Sequence, residues 1–157
     1  ETIMSLIDPS NATETINRLN SGKYVNAAVE YFQGYVNQLL NAEEYTRYGI
    51  TSKRGNAKGT VNIGTPHGDI VLSSDHCLLA GEIVARQTFT AVHQEFDRWV
   101  VDRTLLTVVI KEDATIVRVG NAIQLAKIGP SSTHNGIIDE IVLVMMSNLQ
   151  NGLPAIQ

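Results

Sequence analysis

Apolar positions fall into distinct rhythms along the chain. From about Tyr24 to Glu44, Val25, Val29, Phe32, Val36 and Leu39 recur at spacings of three and four, which places them on one helix face. A shorter helix is predicted within residues 1–22. Asn11 suits its N-cap, Glu14 follows in capping-box position, and Ser21-Gly22 breaks it. Thr60–Ile63 and Ile70–Leu72 are short β-rich runs. Between them Gly64-Thr65-Pro66-His67-Gly68-Asp69 has turn composition, so the unit predicts a hairpin. Leu105–Ile110, Thr115–Val119 and Ala122–Ile128 predict three more strands, joined by Lys111-Glu112-Asp113 and by Gly120-Asn121. Ile137–Leu149 reads as a final apolar helix, stopped by Asn151-Gly152 with Pro154 just beyond.

Two segments carry less regular patterns. Residues 46–59 hold Gly49, Gly55 and Gly59 with Arg47, Lys53, Arg54 and Lys58, and few apolar anchors, which predicts a long basic loop. Between Asp75 and Trp99, strict alternation fails beyond His93, whereas Ala85, Phe89, Val92, Phe96 and Trp99 step by helical intervals. Ser73 or Ser74 suits the cap, and a long helix is predicted. A second apolar stripe through Ala80, Val84 and Ala91 makes its apolar arc wide enough to need cover on two sides, one by the sheet and one by a partner subunit.

Composition changes this picture little. A chain of 157 residues with 43% hydrophobic and 18% charged positions suits one globular domain with its own core. A net charge of -4 argues against a nucleic-acid partner. No apolar run is long enough to span a bilayer, so any membrane contact is expected to be indirect. No signal peptide is visible, an initiator Met is missing, and the single Cys77 favours a reducing, cytoplasmic setting. Asn11-Ala12-Thr13 matches a glycosylation sequon, a triplet that arises often by chance.

Helix, two strands, long helix, three strands and helix is an α/β order of the α+β type. It implies a five-stranded antiparallel sheet with the long helix on one face and flanking N- and C-terminal helices. Gly59-Thr60-Val61-Asn62-Ile63, then His67-Gly68-Asp69-Ile70-Val71-Leu72-Ser73-Ser74, resembles the opening hairpin of the Roadblock family, which includes roadblock-type dynein light chains, Ragulator subunits and bacterial regulators of polarity GTPases. Leu105–Ile110 with Thr115–Val119 resembles its central strands. Ile123–Ile128 sits at its last strand, and Gly129–Ile138 resembles the linker into its final helix. The turn from Gly64 to Asp69 is longer than the family's, and residues 1–22 form an N-terminal extension to a domain at 23–157.

The resemblance implies a non-enzymatic scaffold that pairs with itself or a related Roadblock-type subunit and binds a Ras-like small GTPase or a dynein intermediate chain. Its dimer would place Thr88, Ala91 and Val92 of the long helix and Leu106 and Val108 of the central strand at the twofold axis. On that placement, Val108→Asp converts dimer to monomer. Alternatives are a profilin-like or sensory small-molecule domain with a pocket lined by His93 or Tyr35, a viral or phage assembly protein, and an enzyme using Cys77.

No catalytic, cofactor or metal motif stands out. His67, Asp69, Asp75, His76 and Cys77 lie close together but lack zinc spacing, and neighbouring His76 and Cys77 would diverge on a helix. His93, Glu95, Asp97, Arg98, Asp102 and Arg103 read as a solvated, ion-paired helix end. Ala57-Lys58-Gly59-Thr60 precedes a strand, whereas a phosphate loop follows one. Tyr24, Tyr31, Phe32 and Tyr35 form an aromatic stripe that is read as packing against the sheet.

Overall fold

The computed structural model describes residues 5–157. Helix α1 (Pro9–Leu40) leads through a single turn, α2 (Glu43–Thr46), into seven strands: β1 (Thr51–Arg54), β2 (Thr60–Thr65), β3 (Gly68–Leu79), β4 (Glu82–Glu95), β5 (Arg98–Ile110), β6 (Thr115–Val119) and β7 (Ala122–Lys127). Helix α3 (Gly136–Asn151) follows. The strands form one antiparallel sheet in chain order, each beside its sequence neighbour. The sheet curls into a half-barrel, and α1 and α3 pack on its inner face.

The α+β class holds, but the five-stranded sheet does not. The segment expected as a helix over 75–99 is strand: the end of β3, all of β4 and the start of β5. The reason lies in β4, where Ala85, Gln87, Phe89 and Ala91 face the helices while Arg86, Thr88, Thr90 and Val92 face away. Gln87 interrupts the apolar alternation, and the residues left over fall at helical spacings. The β3–β4 turn is Ala80-Gly81, both in the left-handed region, with φ 50 and 79°. Two such residues form the tight turn that matches strand twist. The resemblance to the Roadblock family depended on a helix between hairpin and meander, so the element order that carried it is not the order of this chain.

The segment expected as a basic loop contributes the end of α2 and an edge strand, β1. Its polar residues are spent on α1. Ser52 Oγ donates to Asn37 Oδ1 at 2.7 Å, and Arg54 Nη2 reaches both carboxylate oxygens of Glu30 at 2.8 and 2.9 Å. The expected hairpin is present, but its turn is only Pro66-His67 rather than Gly64 to Asp69, and its second strand runs on to Leu79; strands β6 and β7 and α3 lie where the sequence pattern puts them.

The two expected N-terminal helices are one. Asp8, rather than Asn11, caps α1, its carboxylate accepting from Ser10 N at 2.8 Å, and the helix runs unbroken through Ser21-Gly22. Gly22 is there for close approach: a Cβ would lie 3.3 Å from the His76 ring of β3. The part of the expected helix on residues 1–4 lies outside the described residues.

Val25, Ala28, Val29, Phe32, Val36 and Leu40 of α1 are buried against the sheet. Phe32 meets Phe89 edge-on, ring centroids 6.4 Å apart. Ile138, Ile141, Val142, Met145 and Leu149 of α3 complete the same core. Polar contacts fix α1 along its length: Arg18 Nη2 donates to Gly81 O, His76 Nε2 to Asn26 Oδ1, and Gln33 Nε2 to Gln87 Oε1. Among the described residues no helix is long and apolar enough to cross a membrane.

Candidate functional site

With α1 and α3 on the inner face, no layer among the described residues covers the outer face of the sheet. Its strand ends near α2 form a groove of about 630 Å³. The pairing register explains it. Thr51, Gly64, Asp69 and Val92 stand side by side across β1 to β4, and Lys53, Asn62 and Val71 form the next row. Gly64 leaves the floor low, since a Cβ there would come within 2.5 Å of Thr51 Oγ1. Trp99 of β5, half exposed, stands in the wall. Val71 and Val92 make the floor apolar, and Lys53 and Asp69 place one charge of each sign along it. Among the described residues neither Lys53 nor Asp69 has an ion-pair partner.

The β4–β5 hairpin runs past this groove to a two-residue turn, Phe96-Asp97. Phe96 has φ 55° and is 98% exposed. A bulky aromatic in the left-handed region is strained, and here it makes up for that strain with no packing inside the chain. Val101, 68% exposed, continues the apolar strip beyond Trp99.

On the other face of the same hairpin, His93 is clasped by two carboxylates. Its Nε2 is 3.1 Å from Glu95 Oε1 and its Nδ1 is 2.5 Å from Asp102 Oδ1. Hydrogen bonds to Glu95 and Asp102 raise its pKa above the ordinary imidazole value. Both ring nitrogens are engaged, and among the described residues no group of three or more His, Cys, Asp and Glu is arranged to hold a metal. The sequence grouped these residues as a helix end; a β-bulge that admits Asp102 between Val101 and Arg103 brings them together instead.

The other singled-out residues scatter. His76 and Cys77 point to opposite faces of β3, and the polar group nearest Cys77 Sγ is Asp75 Oδ2 at 3.9 Å. Asp75 itself holds Arg86, 2.6 Å away. His67 meets Gln150 at the far end of α3. Arg47 lies over the Tyr48 ring, and Arg54 is paired with Glu30.

Of the five residues expected at a dimer axis, Ala91, Leu106 and Val108 face the helices and are buried within the chain, so Val108→Asp introduces an interior charge. Thr88 and Val92 face outward, and Val92 lies in the groove floor. The long helix expected to wall a ligand pocket is strand, and the space between sheet and α1 is filled by Phe32, Phe89 and their neighbours. Tyr35 is bonded to Asp139 at the edge of that interface, and Tyr24 is exposed.

Sequence reasoning missed Phe96 and Trp99 as surface features. The available signal was Glu95-Phe96-Asp97-Arg98 between two β-rich runs, but Phe in place of Gly or Asn hides a tight turn. Comparison with protein-family models, curated proteins and solved structures gave no match.

Proposed function

We propose that this chain is a non-enzymatic interaction module that holds a protein partner on the outer face of its sheet. One observation carries this reading: an apolar groove with Trp99 in its wall opens on the face that the helices leave uncovered. Solvent-facing apolar grooves beside half-exposed tryptophan mark protein-binding surfaces, because truncating such a residue removes much of an interface's affinity. The clustered acids, histidines and cysteine support no catalytic reading, since His93 is saturated by its carboxylates and the carboxylate nearest Cys77, on Asp75, is held by Arg86. A small GTPase or a dynein intermediate chain as the partner came from the family resemblance, and no feature of the groove favours either.

A photo-crosslinking residue replacing Asn62, exposed at the groove, tests the reading in the producing cells, with the same residue at Glu112 on the β5–β6 turn as control. The expected result is a protein adduct of defined mass from position 62 and none from position 112. Equal labelling at both positions, or no protein adduct from position 62, would refute the reading.

A further inference from the structure

The geometry points to the occupant of the groove being the β4–β5 hairpin tip of a second copy of this chain, in a reciprocal twofold dimer. This rests on the reading of the groove as a docking surface and names what docks there.

Four charges and one strained aromatic lead to it. The groove offers Lys53 and Asp69, and the tip offers Asp97 and Arg98. Among the described residues none of these four has an ion-pair partner. Tip and groove each carry one charge of each sign, so Asp97 meets Lys53 and Arg98 meets Asp69 without leaving like charges opposed. Beside these tip charges the hairpin presents Phe96, fully exposed and held at a φ that favours glycine. An apolar floor of Val71 and Val92 beneath a tryptophan wall is the surface such a ring fits.

The arrangement also closes. Trp99 belongs to the groove wall and lies three residues from Phe96, so groove and tip share one surface. A hairpin cannot fold back into its own groove, but two copies related by a twofold axis can exchange tips, each contact being made twice. Two Phe96 and two Trp99 supply on the order of 600 Å² of buried surface, about half of a small specific interface.

Sedimentation equilibrium across a dilution series tests the idea with the full chain. The wild type is expected to dimerise. Phe96→Gly removes the ring and relieves the backbone, so it should weaken association about thirtyfold while thermal stability of the monomer is kept or raised. Charge reversal gives an independent arm. Lys53→Asp and Asp97→Lys should each abolish self-association, because each opposes like charges at both contacts. An equimolar mixture of the two should form a heterodimer, because every contact then again pairs opposite charges. A wild-type monomer at every concentration overturns the proposal, as does a dimer indifferent to Phe96→Gly or a mixture that stays monomeric. The cross-link at position 62 separates this from failure of the docking surface itself: an adduct with a protein of another mass keeps the groove and removes the self-partner.

Discussion

Gln33 on α1 donates its side-chain amide to Gln87 Oε1 on β4 at 2.9 Å, and neither residue has any surface exposed. The same amide donates to Gly59 O before β2, and Gln87 passes the chain on to Ser74 Oγ on β3. One polar thread thus ties the helix to β4, β3 and the turn before β2 through an otherwise apolar interface. Helix and strand can slide against each other only by breaking it, so it sets the register of α1 on the sheet.

Removing one end leaves partners unpaired in the interior. Gln33→Leu strands Gln87 Oε1 and the Gly59 carbonyl and is expected to cost about 2 kcal/mol. Gln33→Leu with Gln87→Met removes both amides and is expected to cost less than the two single changes together, with a coupling of about 1 kcal/mol. Urea denaturation of the four proteins measures this. Strict additivity would show that the contact does not hold the interface.

Arg103 closes the other helix. Its guanidinium donates to Asn148 O at 3.3 Å and Leu149 O at 3.0 Å, lying across the bare Cα of Gly152 where any Cβ would collide with it. A cation on the last carbonyls also suits the helix dipole. Gly152→Ala should displace the guanidinium and lower stability by about 1–2 kcal/mol. Added to Arg103→Met, the same change should do almost nothing further. Thermal unfolding decides: equal costs in both backgrounds would show that Gly152 matters for its own backbone and not for Arg103.

His93 makes stability depend on pH. Glu95 and then Asp102 raise its folded-state pKa, while in the unfolded chain it titrates near about 6.5. The folded protein then binds the proton more tightly, so the contribution is fully present below the unfolded value. It is lost as pH rises through the folded one. Proton NMR of the His93 ring is expected to show the raised pKa, returning toward the ordinary value in Glu95→Gln and Asp102→Asn. The stability advantage over His93→Gln should shrink on the alkaline side, and an advantage that stays constant with pH would contradict the clasp.

Much of the fold could be read from the chain, and the errors share one cause. Helix α3 repeats cleanly because it buries one apolar face, Ile138 to Leu149, so local pattern and tertiary position agree. Strands β6 and β7 were legible from β-rich composition and turn residues, although Ile123 and Leu125 of β7 are exposed. In β4 they disagree. Gln87 takes an inward position because Gln33 awaits it, and no window along the sequence reveals a partner 54 residues away. Gly22 reads as a break until the His76 ring is beside it. The groove was least legible: its lining comes from five strands, and only pairing register puts Gly64 beside Thr51 and Asp69. Trp99 and Phe96 were visible as letters, but the turn between them and the strand before it was disguised by Phe in a position that usually takes glycine.

The nearest-neighbour order of the sheet bears on how the chain is made. Each strand pairs with the one synthesised just before it, so the half-barrel can assemble hairpin by hairpin as it emerges from the ribosome. Helix α1 has the opposite fate. It leaves first, yet Phe89, which receives Phe32, comes more than forty residues after Leu40, and α3 is last of all. Throughout that interval the stripe from Val25 to Leu40 is unsheltered on a nascent helix, which makes it the natural landing place for chaperones during translation.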